Sequence, residues 1–166
     1  METSRTAPAQ PTARQPVAKQ QSVILRAWQQ QALRSFVANE APSFLTVACP
    51  GAGKTSFALV AARQWCAGQA RPFVVVVPTQ HLKKQWADAA LKFGFHLDPA
   101  WSASNGKPAV DMHGVVVTYA QASSSWVELA AYSRGGIVVL DEVHHAASDR
   151  SWGDGVERAF TGAATR

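Results

Sequence analysis

A chain of 166 residues, 47% of them hydrophobic, is long enough for one domain with a proper core, and its composition argues against a disordered protein. Its net charge of +5 is compatible with nucleic acid, but a solvated basic surface with no partner would carry the same charge. Two cysteines without C-x-x-C spacing argue against a zinc or disulfide framework, and the lack of a long apolar run or an apolar leader argues against a membrane span or signal peptide, so the expected location is cytoplasmic.

Residues 1–21 are rich in Ala, Pro, Gln and Thr and hold almost no large apolar groups. Such a stretch cannot bury enough surface to offset chain entropy, and the expectation is a disordered tail ahead of a domain at 22–166. Residues 22–38 predict a helix, because Trp28, Ala32, Leu33 and Phe36 recur on one face. Residues 44–48 are an apolar run that predicts a first strand, and the helix after it is expected from about Lys54 to Ala67, with Gly68 as its stop.

Residues 73–77, Phe-Val-Val-Val-Val, are continuously apolar and β-branched, as a strand buried on both faces of a parallel sheet must be. Pro78 and Thr79 end it, and Thr79 is placed to cap a helix reaching about Lys92 with Leu82, Trp86, Ala89, Ala90 and Phe93 inward. Residues 94–110 are read as loop, with one short strand near Trp101. Residues 115–118 predict another strand, and 119–132 a helix with Trp126, Leu129 and Ala130 as its apolar face. Gly135-Gly136 is a turn, and Ile137-Val138-Val139-Leu140 a further buried strand. Strands alternating with helices of this length predict an α/β fold, a mostly parallel sheet with helices on both faces.

The chemistry lies at two strand ends. After residues 44–48 comes Cys49-Pro50-Gly51-Ala52-Gly53-Lys54-Thr55-Ser56. Glycines there leave backbone N–H groups free to point at an anion, and the helix beginning near Lys54 adds the positive end of its dipole. Lys54 would reach the β- and γ-phosphates of a nucleotide and the Thr55 hydroxyl would sit on Mg²⁺. The alternative is a glycine-rich turn with no ligand, which leaves Lys54-Thr55 unexplained. Cys49 in this loop reads as a small buried residue.

At the other strand end stand Asp141-Glu142-Val143-His144-His145. Adjacent carboxylates at a buried strand end are costly unless compensated, and a metal ion compensates them. Asp141 would hold Mg²⁺ opposite Thr55, and Glu142 would polarise an attacking water. Neighbouring histidines diverge and no third ligand is at hand, so zinc is rejected. The alternative is an exposed acidic turn. Open parallel sheets bind ligands at strand carboxyl ends, where both stretches lie.

Asp141-Glu142-Val143-His144 resembles the D-E-x-H box of superfamily 2 helicases and translocases, and Ala48–Thr55 resembles their phosphate-loop motif, with Ala48 in place of the first glycine. Residues 25–33 resemble the adenine-side helix of the branch that includes restriction-enzyme motor subunits, with Gln29 at the adenine-reading position and Arg26 and Trp28 flanking the base. Val77-Pro78-Thr79, with Leu82, Gln85 and Trp86, is similar to a motif that touches the nucleic-acid backbone, and Val117-Thr118-Tyr119 resembles the next such motif. The resemblance implies a P-loop, RecA-like lobe binding ATP and Mg²⁺. Its catalytic residues would be Lys54, Asp141, Glu142 and His144. Its nucleotide contacts would be Arg26, Trp28, Gln29 and residues 50–56, from Pro50 through Ala52 and Gly53 to Ser56. Its nucleic-acid contacts would be Pro78, Thr79, Gln80, Thr118 and Tyr119. It also implies a further strand and a second lobe carrying arginine fingers, both expected beyond Arg166, so that 22–166 reads as an incomplete lobe. Double-stranded DNA is the favoured track. RNA, a nucleotide-dependent binding module that never translocates, and a truncated product without function are the alternatives.

Overall fold

The computed structural model describes residues 23–143 and 150–164; the expected tail at 1–21 and both His144 and His145 lie outside them. Among the described residues four strands form one sheet: β1 (Phe73–Val77), β2 (Leu97–Asp98), β3 (Gly114–Thr118) and β4 (Ile137–Leu140), in the order β2-β3-β1-β4. Every pairing between them is parallel, with Val75 beside Val116 on one side and Val139 on the other.

The helices are α1 (Ala27–Ala38), α2 (Lys54–Trp65), α3 (Gln80–Leu91), α4 (Tyr119–Ser124), α5 (Trp126–Tyr132) and α6 (Arg150–Phe160). They cover both sheet faces, because alternate side chains of a strand point opposite ways. Phe73, Val75 and Val77 join Leu59 of α2 and Trp86 of α3 in one core. Val74 and Val76 join Tyr119, Leu129 and Phe160 of the α4–α6 layer in the other. An apolar residue at every position of β1 is what two buried faces demand, and all five are buried. The α/β, mostly parallel architecture expected from the sequence is therefore the one observed.

Several local expectations are corrected. Residues 44–48 take no regular secondary structure, and no ladder pairs them among the described residues. Phe44, Thr46 and Ala48 are half-buried, whereas Leu45 and Val47 are 76% and 86% exposed. The run has the alternation of a strand without a neighbour to make it one. The short strand of 94–110 is Leu97–Asp98, ahead of the buried Trp101. The helix expected over 119–132 breaks at Ser125 into α4 and α5, which turns Trp126 outward while Leu129 stays buried. Thr79 does occupy the N-cap of α3, but its side chain accepts no capping hydrogen bond. Cys49 is exposed, not buried.

The free edge of β4 follows from its register. Ile137 and Asp141 donate their N–H groups toward β1, to Pro72 O and Val76 O, so the backbone groups of Val138 and Leu140 face the other way, where no strand pairs with them among the described residues. Just ahead of β4 the Ala164 N–H reaches that same side and donates to Gly136 O at 2.9 Å.

Candidate nucleotide site

The phosphate-loop candidate is shaped by backbone conformation. Gly51 and Gly53 adopt φ of +73° and +92°, the left-handed region that glycine enters without a Cβ penalty. Gly53 is the N-cap of α2, so Lys54, Thr55 and Ser56 form the first turn of that helix. A Cβ at Gly53 would lie 2.8 Å from Gln29 Nε2, a second reason for glycine there.

Helix α1 holds this loop from outside. Gln29 is buried, donates from Nε2 to Gly53 O at 2.9 Å, and accepts the Arg26 N–H at Oε1. Trp28 Nε1 donates to Ala52 O at 3.2 Å, and Arg26 Nη1 lies 3.3 Å from the same oxygen and 3.4 Å from Gly51 O. Carbonyls 51 to 53 are thus turned toward α1. In a planar trans peptide the following N–H points the opposite way, so the N–H groups of Gly53 and Lys54 face away from α1. That is how a short loop presents donors to an anion. Arg26, Trp28 and Gln29 brace Gly51, Ala52 and Gly53 in this structure, and Pro50 opens the turn.

Lys54 and the acidic strand end meet. Lys54 Nζ lies 3.3 Å from Glu142 Oε1 and equally far from Ala48 O. The two side chains are 34% and 37% exposed, so the pair is worth at most about 1 kcal/mol and exchanges readily for a better anion. Glu142 takes φ +52°, the one non-glycine residue in the left-handed region among those described. A cavity of about 570 Å³ opens between residues 44–48 and β4, with Lys54, Asp141 and Glu142 on its lining.

Asp141 is held from two directions. Its Oδ2 accepts a hydrogen bond from Trp86 Nε1 of α3 at 2.8 Å, and its main-chain carbonyl accepts one from the Tyr119 hydroxyl at 2.8 Å. Burial, reinforced by the nearby Asp141 and Glu142 charges, pushes the Tyr119 hydroxyl far above its ordinary range, so it stays a donor. Among the described residues no hydrogen bond engages Oδ1 of Asp141, which leaves it for another ligand. Oxygen donors of the Asp141 and Thr55 kind suit Mg²⁺, which binds through one or two protein oxygens and keeps several waters.

The expected nucleic-acid residues divide. Thr79 and Gln80 are exposed at the start of α3 and Pro78 is half-buried beside them. Thr118 and Tyr119 are inside: Thr118 caps α4 by accepting the Gln121 N–H, and Tyr119 is fully buried under Asp141. Their side chains are engaged within the fold. Sequence reasoning missed the Trp86 and Tyr119 bonds to Asp141. It also missed buried Lys83, which donates to Gln121 Oε1 at 2.9 Å and whose ammonium burial pushes toward a lower pKa. A tryptophan and a lysine on the sheet-facing side of α3 were the only signals.

The family model described as type III restriction enzyme, res subunit, matches residues 22–164. The chain is 44% identical over 155 residues to the uncharacterized protein Rv2917 of Mycobacterium tuberculosis (strain ATCC 25618 / H37Rv), covering 92% of this chain and 26% of that protein. It is 39% identical over 145 residues to the uncharacterized protein ML1624 of Mycobacterium leprae (strain TN), covering 86% and 24%. The chain thus spans about a quarter of the length of the curated relatives it matches. Among solved structures, the fold is similar to a hypothetical ATP-dependent RNA helicase from Sulfolobus tokodaii, with a TM-score of 0.61 at 16% identity over 87% of this chain and 44% of that one. It is also similar to the UvsW helicase from bacteriophage T4, with a TM-score of 0.57 at 18% identity over 87% and 53%.

Proposed function

Because the chain belongs to the family of the type III restriction enzyme res subunit, we propose that it is the ATP-binding lobe of a nucleic-acid-dependent motor, a helicase or double-stranded DNA translocase. The observation that carries this reading is the approach of Lys54 to Glu142 across 88 positions of sequence, at the mouth where the glycine loop meets the carboxyl end of β4. A nucleotide triphosphate entering there displaces Glu142 from Lys54. Lys54 then neutralises the β- and γ-phosphates while the N–H groups of Gly53 and Lys54 cradle them. Thr55 and Asp141 would hold Mg²⁺, which would supply positive charge against the phosphates. Glu142, released from Lys54, orients a water for attack on the γ-phosphorus and takes its proton, while the bond to the ADP oxygen breaks.

The span of about a quarter of the longer relatives supports a parent with a second lobe that completes this site. An arginine finger from such a lobe contributes roughly 10³–10⁵ in rate, so the 166-residue chain alone binds nucleotide but turns it over very slowly. Pro78, Thr79 and Gln80 would meet the sugar–phosphate backbone, positioning the track without reading bases. Duplex DNA is the favoured track. The solved helicase with RNA in its name keeps RNA as the second reading, and stimulation of the full parent's ATPase by each polymer separates the two.

Titration with a fluorescent ATP analogue tests the site. Lys54→Ala is expected to weaken binding at least about tenfold, the loss of a charge-assisted contact to phosphate. Glu142→Gln is expected to keep binding and abolish residual turnover. Equal affinity of Lys54→Ala and the parent sequence removes the loop from the site.

A further inference from the structure

We infer that Trp86 and Tyr119 are positioning residues that set the Asp141 carboxylate and link it mechanically to the segment ending in Thr79 and Gln80. The inference rests on the nucleotide reading of the site and assigns two residues whose side chains touch neither phosphate nor track. Asp141 is the last backbone rung beyond β4, where its N–H is fixed to Val76 O. The next residue, Glu142, is in the left-handed region, so the chain turns sharply at this point. Two side-chain torsions then decide where the carboxylate oxygens lie, and Trp86 restrains both through Oδ2, while Tyr119 holds the Asp141 peptide carbonyl and so the main chain that carries the side chain. With Oδ2 committed to an indole N–H, Oδ1 is the oxygen presented to a cation. A ligating carboxylate fixed by such an outer hydrogen bond binds its metal about 10–100-fold more tightly than one left free.

The two donors have a common geography. Trp86 lies on α3, whose first residue is Gln80 and whose N-cap is Thr79. Tyr119 opens α4 directly after β3, and Lys83 of α3 bonds Gln121 of α4 at 2.9 Å. The two helix starts are therefore tied to each other as well as to Asp141. Trp86 is 4% exposed and held in the core with Leu59, Val77 and Ala90, so it moves with its helix. A displacement of α3, such as a phosphate seated on residues 79–80 would cause, reaches Oδ2 through one rigid ring. Tyr119, expected from sequence to meet nucleic acid, acts on this reading from beneath the metal-binding residue.

The test measures the Mg²⁺ dependence of fluorescent ATP-analogue binding to the 166-residue chain, with and without a duplex DNA oligonucleotide. Trp86→Phe keeps the ring volume nearest the core and removes the N–H; Tyr119→Phe removes only the hydroxyl. Trp86→Phe is expected to raise the Mg²⁺ midpoint about tenfold, and Tyr119→Phe about threefold, while affinity in EDTA is unchanged. Duplex DNA is expected to shift the midpoint of the parent sequence, and to shift that of Trp86→Phe by less. A merely structural role would alter the melting temperature and leave the Mg²⁺ midpoint in place, and that result overturns the inference. Should Trp86→Phe fail to fold, the Tyr119→Phe midpoint decides on its own. A parent chain that binds no nucleotide overturns the site reading and this inference with it. A parent chain whose Mg²⁺-dependent binding the variants reproduce overturns this inference alone.

Discussion

Cys49 and Cys66 bracket helix α2, and burial separates their chemistry. Cys49 is exposed in the glycine loop, whereas Cys66 is 3% exposed in the core beside Leu59 and Phe73. Burial pushes the Cys66 thiol up to about 11 from 9.0, and the Arg71 charge only partly opposes it. The folded thiol is thus the weaker acid, and the unfolded chain gives up this proton first. The contribution is fully present below pH 9 and is lost as pH rises through about 11. Urea midpoints at pH 8 and pH 10.5 are expected to fall more for the parent chain than for Cys66→Ala. An equal fall in both refutes the assignment. The same contrast makes Cys49 the thiol that an alkylating reagent reaches at neutral pH.

Strands β1 and β3 approach so closely at their starts that only glycine fits at position 114. A Cβ there would stand 1.8 Å from the Phe73 carbonyl oxygen, a main-chain atom in the middle of the sheet. Gly114→Ala is expected to cost on the order of 3 kcal/mol, the upper range for overpacking a core, and a thermal melt checks it. A loss below about 0.5 kcal/mol would mean the ladder yields at no cost. Elements buried on both faces were legible from composition, because β1, β3 and β4 carry apolar residues at nearly every position. Residues 44–48 have the same composition, yet no strand pairs with them among the described residues, since pairing depends on a neighbour that composition does not name. The break at Ser125 is written in the serine run 123–125, whose side chains compete for the backbone bonds a helix needs. The site divides likewise. Lys54 and Glu142 were legible because glycine spacing and adjacent carboxylates each imply phosphate or metal chemistry alone. The bond from Trp86 to Asp141 spans 55 positions, and an indole on an apolar helix face looks like any core residue.

The assembled sheet is unevenly protected. β1 is flanked by β3 and β4, while β4 offers Val138 and Leu140 backbone groups on an open side across the cavity from residues 44–48. Exchange of backbone amides with deuterium is expected to be slowest at 74–76 and fastest, among the apolar runs, at 44–48. Protection at 44–48 equal to that of β1 would contradict the unpaired state. Leu45 and Val47 form an exposed apolar pair beside this open edge, the arrangement that invites association between copies. Residues 44–48 come before each of the four described strands, and none of these pairs with them. During synthesis the glycine loop therefore leaves the ribosome early, yet Glu142, which meets Lys54 at the end of β4, lies 88 positions further on. A nascent chain would therefore carry the glycine loop for some time before Lys54 could meet Glu142.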